Sequence, residues 1–286
     1  MIPEVKAFFH EPTFTLTYVV HSGAGNKCVI IDSVLDYDSK SGRTSTEAAD
    51  EVVIFIEETK LEVSWILETH VHADHLSAAP YLKSKLGGKI CIGAHVPIVQ
   101  ETFKGVFNFG SEMSTNGDQF DHLLKDGEAL NFGGLNVTAL VTDGHTPACM
   151  SYVIGNAIFV GDTLFMPDFG TARCDFPGGD ARQLYKSIRK LLSYPEDTDL
   201  YMCHDYGPGG RDFKWKTTVA QQKKNNIHIN DLISEDAFVK MRNDRDAELD
   251  MPALILPSVQ INMCAGYFPE PEANGVSYVK IPLNIL

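Results

Sequence analysis

The sequence predicts an α/β protein in which two sheets pack face to face and helices cover them on the outside. Strand and helix signals alternate in the first third of the chain. Short strands return in the middle, and amphipathic helical patterns occur in both halves, so each sheet can bury one face on its partner and the other under helices. The 286 residues are 44% hydrophobic and 22% charged, which suits a globular protein with a large apolar core. That length fits one large or two modest domains. The chain is expected as a single domain over 1–286, with 216–286 as a helical and extended C-terminal appendage.

Taken in order, Phe14–Val20 and Lys27–Asp32 are short β-branched or aromatic runs joined by the Gly-rich turn SGAGN, a hairpin pattern. Thr44 and Glu47 have capping-box spacing before a helix with Ala49, Val52, Val53 and Ile56 on one face. Val63–Glu68 reads as a strand, Ala78–Leu86 as a helix stopped by Gly87 and Gly88, and Lys89–Ile92 as another strand. Lys104–Gly117, rich in Gly, Ser and Asn, is expected as a linker or flap. Leu135–Val141, Ser151–Ile154 and Ala157–Val160 are strands. Asp180 caps a helix that aligns Leu184, Ile188, Leu191 and Leu192. Leu200–Cys203 is a last core strand. A polar helical stretch follows over 216–242, and from Met251 a Pro-rich tail is expected to wrap the body and to close a dimer interface or the pocket.

Charge removes several function classes. Lys and Arg total 24 against 38 Asp and Glu, a net charge of -14. That field repels phosphate backbones, so no nucleic-acid partner is expected. No apolar run approaches the roughly 20 residues that cross a bilayer. The opening MIPEVKAFFHEP, with its acids and prolines, resembles neither a signal nor a transit peptide. The 6 cysteines are scattered without a CxxC, as expected for reduced thiols of a cytoplasmic protein. Cys149 and Cys174 fall near the candidate site but read as buried structural thiols.

The chemistry-bearing residues all follow strand patterns. His70, His72, Asp74 and His75 form an HxHxDH stretch after Val63–Glu68, His145 sits in GHTP, Asp162 in GDT, and His204 in CHDY. Three imidazoles and a carboxylate within six residues would be poorly satisfied if buried together without a cation, so the cluster points to a divalent metal. The isolated His10, His21, His95, His122 and His228 read as surface or satisfied core residues.

In this order, HxHxDH, GHTP, GDT and a strand-end His resemble the motifs of the metallo-β-lactamase superfamily over Phe14–Tyr206. The resemblance implies an αββα sandwich, two mixed β-sheets flanked by helices, with a metal site at one edge. Within it, THVHADHLSAAPYLKSKLGGKICIG, GHTPACMSYVIGNAIFVGDTLF and CHDYGPGG are similar to the glutathione-dependent persulfide dioxygenases. Ala73 stands where hydroxyacylglutathione hydrolases carry Trp or Tyr. The chain departs from the dioxygenase pattern at Ala148, usually Gly, and at Thr171–Phe176, usually a GRTDF-like motif.

This likeness implies mononuclear Fe(II) held by His70, His145 and Asp162, acting with O₂ on glutathione persulfide to give sulfite and glutathione. His72, Asp74, His75 and His204 then surround the ligands. The alternative is a binuclear zinc thioester hydrolase in which those four residues complete two metal positions. A non-catalytic binding protein is disfavoured because no ligand position is degraded. A glutathione carrier brings two carboxylates, so local cations are required. Arg173, Arg211 and Lys214, with the Tyr206 phenol, are the candidate substrate contacts, and Lys216 extends that patch.

Overall fold

Along Thr15–His21 the side chains divide between two apolar clusters: Leu16, Tyr18 and Val20 enter one, Val19 the other. Lys27–Ile31 repeats the division, with Val29 and Ile31 on one side and Cys28 and Ile30 on the other. A period of two with both faces apolar is the mark of a strand buried on both sides. The structure, a computed structural model, describes residues 2–285.

The first sheet is six-stranded, in the order Glu4–His10, Thr15–His21, Lys27–Ile31, Glu62–Leu67, Lys89–Gly93, His122–Leu124. It is antiparallel up to Lys27–Ile31 and parallel beyond. The second is also six-stranded, running Ala129–Phe132, Leu135–Val141, Met150–Ile154, Ala157–Phe159, Asp199–Tyr201, Lys216–Thr218. Its one parallel pair is Ala157–Phe159 with Asp199–Tyr201. Tyr18, Val29 and Ile31 of the first sheet meet Phe132, Val137, Tyr152 and Phe159 of the second between the two layers. Helices Glu47–Glu58, Ala79–Leu86, Val96–Val106 and Ile255–Asn262 cover the outside of the first sheet through Val52, Ile56, Leu82, Phe103 and Val259. Ala181–Leu191, Val219–Asn225 and Glu235–Asp246 cover the second through Leu184, Ile188, Leu191, Val219 and Phe238. This is the αββα arrangement. Burying each such side chain stabilises by about 1.5–3 kcal/mol.

Asp180 caps its helix as expected, accepting from the Gln183 N–H at 2.7 Å. The capping box at Thr44 and Glu47 does not form. Thr44 lies in strand Arg43–Ser45, Thr46 takes the cap position, and the Thr46 hydroxyl donates to Asp50 instead. The expected flap over Lys104–Gly117 is tied down, because the Lys104 ammonium donates to the Met113 carbonyl and Gly117 N–H to the buried Gln100 side chain. Phe107 and Met113 pack into the core there.

The C-terminal segment also differs from expectation. Lys216–Thr218 is the edge strand of the second sheet, paired with Asp199–Tyr201. The helical stretch after it breaks between Asn225 and Glu235, and the tail contains the buried helix Ile255–Asn262. That helix is buried nearly all round, with Ser258, Gln260 and Asn262 buried beside its apolar residues, so it lacks the one-sided stripe that marks a surface helix in sequence.

Parallel pairing decides where the functional loops gather. Lys27–Ile31 and Glu62–Leu67 run together and end at Asp32 and Glu68. Ala157–Phe159 and Asp199–Tyr201 run together and lead to Asp162 and His204. The carboxyl ends of parallel strands therefore share one edge.

Candidate metal centre

The loop after Glu62–Leu67 is moulded around Asp32, whose backbone is left-handed (φ 51°). Its carboxylate accepts from Thr69 N–H at 2.7 Å and the Thr69 hydroxyl at 2.9 Å, and lies 3.0 Å from His72 Nε2. Glu68 Oε2 approaches the same nitrogen at 3.3 Å, while Oε1 accepts from the Ser77 hydroxyl at 2.6 Å. Asn262, at the end of Ile255–Asn262, donates to the carbonyls of His72 and His75 and accepts from Ser77 N–H. The HxHxDH loop is thus gripped by a strand-end carboxylate on one side and a C-terminal helix on the other.

His70, His145 and Asp162 converge, with ligand atoms all within 4.8 Å of one another. The Nε2 atoms of His70 and His145 each lie 3.8 Å from Asp162 Oδ2. The outer nitrogens are held by neutral groups: His145 Nδ1 donates to the Arg173 carbonyl at 2.7 Å, and His70 Nδ1 lies 3.0 Å from the Thr69 hydroxyl. In His145 this leaves the Nε2 lone pair facing the carboxylate. Burial, reinforced by the neighbouring imidazoles of His72 and His145, holds His70 well below the usual imidazole range, so it too keeps a lone pair to donate. Gly161 makes the approach of Asp162 possible. Its φ is +53°, and a Cβ there would stand 2.6 Å from the Thr69 hydroxyl.

The remaining cluster is built differently. His204 Nε2 is 3.3 Å from Asp162 Oδ1 and 3.4 Å from Asp74 Oδ2, and His75 Nδ1 is 3.1 Å from the same Asp74 oxygen. Burial works against charge on His72, but the carboxylates of Asp32 and Glu68 outweigh it and raise its pKa well above the ordinary value. Desolvation alone would raise Asp74, yet His204 and His75 hold it well below the usual carboxylate range.

Buried atoms without a hydrogen-bond partner include His72 Nδ1, His75 Nε2, His204 Nε2, Asp162 Oδ1 and Glu68 Oε2. So many orphaned imidazole and carboxylate atoms in one place are costly unless a cation or water satisfies them. The donor set, nitrogen and carboxylate oxygen, is that of a first-row divalent ion. The residues therefore fit a metal.

A cavity of about 420 Å³ opens onto this centre, with His145, Asp162, Asp74 and Ala73 in its lining. His72, His75 and His204 are fully buried and do not line it. Of the expected substrate contacts, Arg173 and Tyr206 reach the cavity, while Arg211 and Lys214 do not line it. Arg173 forks onto Asp175 and donates to the Asp250 carbonyl. Tyr206 packs among Phe14, Phe165 and Phe169. Arg211 bridges the buried Asp205 to Asp168, and Lys216 pairs with Asp199 in the edge strand.

Sequence reasoning missed the wall supplied by His228, Arg242, Arg245 and Leu254. Burial, with the nearby guanidinium groups of Arg242 and Arg245, lowers His228 to about 4. It accepts from Thr171 N–H, and Gly170 (φ +100°) leaves it room, since a Cβ there would lie 2.1 Å from Nδ1. Asp32, Glu68 and Asn262 were missed as well. Asp32 alone carried a signal, an acid directly after a strand that runs beside the motif strand.

This fold, edge and cluster define a metal-binding class, and family comparison agrees. Residues 10–204 match the metallo-beta-lactamase superfamily model, and the chain belongs to that superfamily. A probable metallo-hydrolase of Burkholderia pseudomallei is 56% identical, over 99% of both chains. Glyoxylase B2 of Dictyostelium discoideum is 52% identical, over 99% of this chain and 98% of that one. The human mitochondrial persulfide dioxygenase ETHE1 is 27% identical, over 92% of this chain and 88% of its own. Among solved structures, ETHE1 from Myxococcus xanthus matches with TM-score 0.72 and 27% identity, over 93% of this chain and all of that one. No helix of the described residues is long and apolar enough to cross a membrane.

Proposed function

We propose that this chain is a persulfide dioxygenase that oxidises the terminal sulfur of glutathione persulfide to sulfite, using one ferrous ion held by His70, His145 and Asp162. The observation that carries the reading is the division of the cluster. Of its members, His145, Asp162 and Asp74 line the cavity and His70 converges with the first two, whereas His72, His75 and His204 are fully buried and do not line it, His75 bordering a separate cavity instead. His70, His145 and Asp162 would hold the ion with two imidazoles and one carboxylate, a donor set that suits ferrous iron, and the iron would supply the redox chemistry with dioxygen. Ala73 keeps the cavity open beside that donor set. The likeness to ETHE1 proteins in sequence and fold supports the same assignment.

The chain's own groups do the rest. The cavity wall carries Arg245 for a carboxylate of the glutathione carrier, while Arg173, neutralised by Asp175, shapes the wall beside it, and the Tyr206 hydroxyl offers a hydrogen bond to an anionic sulfur. Asp162 balances the charge of the ion so that an anion can still approach. In this reading residues 216–286 belong to the same domain and furnish part of the substrate wall.

The second reading, a binuclear zinc hydrolase of glutathione thioesters, is favoured by the orphaned nitrogens of His72, His75 and His204 and by the names of the more similar relatives. Metal analysis and oxygen uptake separate the two. One iron per chain with persulfide-dependent uptake supports the dioxygenase; two zincs, no uptake and thioester cleavage replace it.

A further inference from the structure

Residues 164–180, between Asp162 and helix Ala181–Leu191, form neither strand nor helix, so their backbone groups find partners elsewhere. On one side the Arg173 carbonyl accepts from His145 Nδ1–H at 2.7 Å. On the other, side chains of 222–246 hold the backbone at intervals. Gln222 donates to the Phe165 carbonyl at 2.7 Å and Asn226 to the Gly170 carbonyl at 3.1 Å. Thr171 N–H donates to His228 at 3.1 Å, Arg242 Nη1 donates to the Thr171 carbonyl at 3.1 Å, and Cys174 N–H donates to Asp246 Oδ2 at 2.8 Å.

Arg242 and Asp246 sit one turn apart on helix Glu235–Asp246 and are joined, with Arg242 Nε and Nη2 both donating to Asp246 Oδ1 at 2.9 and 2.7 Å. Both residues are buried. Arg242 borders the substrate cavity, yet all three of its guanidinium nitrogens are engaged inside the protein, so it is not a free cation for substrate. Taking two charges out of water costs about as much as their attraction returns, and an apolar pair of similar volume would hold this helix as well. Such a pair could not bond the Thr171 carbonyl and Cys174 N–H. These two anchors stand on either side of Arg173, and only the dihedrals of Ala172 and Arg173 lie between them.

We propose that Arg242 and Asp246 are a positioning pair for the metal centre: by fixing the peptide groups on either side of Arg173 they hold its carbonyl at His145 Nδ1, and with it the tautomer and ring orientation in which His145 offers Nε2 to an ion. The inference rests on the proposed function only in taking His145 as a metal ligand, which the thioester hydrolase reading shares. A ring whose outer N–H has a fixed acceptor is a better ligand, because neither its orientation nor its proton has to be reset when the ion binds. The buried ion pair is then kept for the geometry it imposes across the wall. His228 and Asn226 steady the start of the same segment, and the Arg173 side chain, forked onto Asp175, steadies its outer edge.

Zinc affinity of the full chain, measured by competition with a chelator, tests the pair. Arg242→Met keeps the stem and loses every arm, and should weaken affinity about 10- to 100-fold. Arg242→Lys keeps the charge but cannot fork between Asp246 and the Thr171 carbonyl, and should recover part of that loss. Phe238→Leu is the control. It loosens the same helix through its apolar face, where Phe238 packs on Tyr185, and should lower the melting temperature with affinity unchanged. The double variant Arg242→Met with Asp246→Leu leaves no charge buried alone, so it should fold and still bind zinc weakly. In ¹⁵N spectra of zinc-loaded protein, His145 Nδ1–H should exchange slowly with solvent in the unmodified chain and in Phe238→Leu, and faster in the Arg242 variants. Unchanged affinity in Arg242→Met or in the double variant overturns the proposal, as do equal losses in Arg242→Met and Phe238→Leu. If the unmodified protein takes up no oxygen, the proposed function fails while the pair stands or falls by zinc affinity and the spectra.

Discussion

The two halves of the metal centre use the same residue types and are wired in opposite ways. Around His70 and His145 the outer nitrogens meet neutral partners, the Thr69 hydroxyl and the Arg173 carbonyl, and one carboxylate, Asp162, faces both imidazoles. Around His72, His75 and His204 the partners are carboxylates: Asp32, Glu68, Asp74 and Asp162. One half is arranged to lend lone pairs at an open face, and the other is an ion-paired wall behind it. A ligand motif therefore specifies which side chains are available. The partners on the far side of each ring decide what each can do.

The comparison breaks most sharply at the open half. His145→Ala and Asp162→Ala should lose bound metal and bring turnover to background, read by metal content and oxygen uptake on the purified variants. His75→Ala should keep about one iron per chain at reduced affinity, because it alters the surroundings of the ion; equal metal loss in both halves would favour the binuclear reading. One step further out, Asp32→Asn should weaken metal affinity up to about 10-fold, because Asp32 fixes the Thr69 hydroxyl that holds His70 Nδ1, measurable by competition with a chelator.

Smaller effects sharpen the contrast between the centre and its supports. Asn262→Ala removes the side chain that ties the C-terminal helix to the carbonyls of His72 and His75, and should cost about 1–3 kcal/mol in denaturant unfolding with the open face intact. The smallest is a pH effect at the cavity wall. His228 is lowered to about 4, so between that value and its unfolded range near 6.5 the unfolded chain binds the extra proton. Its contribution to stability is present above about pH 6.5 and is lost as pH falls towards 4. In His228→Asn, which keeps an acceptor for Thr171 N–H, the melting temperature should fall less steeply than in the unmodified protein over that window.

Much of this was legible in the chain because it depends on local pattern. Short β-branched or aromatic runs, read as Phe14–Val20 and Lys27–Asp32, marked the strands Thr15–His21 and Lys27–Ile31, Leu135–Val141 was read as the strand it is, and Asp180 marked the start of its helix. The HxHxDH stretch marked the centre because so many ionisable groups packed together need a cation to satisfy them. Glu4–His10 and the helix Ile255–Asn262 were not legible. The first is an edge strand of mixed burial, and the second buries polar and apolar residues alike and so shows no apolar face. Arg211 looked like a substrate contact since its charge was visible in the chain. The buried acid that claims it, Asp205, sits beside the metal-motif His204 and carries no separate signal of its own.

Residue type and spacing by themselves determined a core of two packed sheets with helices outside and the identity of the groups that could meet a metal, since both follow from local pattern and from the chemistry of imidazole and carboxylate; the superfamily came from the resemblance of its motifs. Tertiary structure alone decided which nitrogens of His70 and His145 face Asp162 and which acids neutralise which cations. Those outcomes depend on distances of 3–4 Å between residues far apart in the chain, such as Asp32 and His72 or Phe14 and His204. A one-dimensional pattern does not encode such distances until parallel strands bring their ends to a common edge.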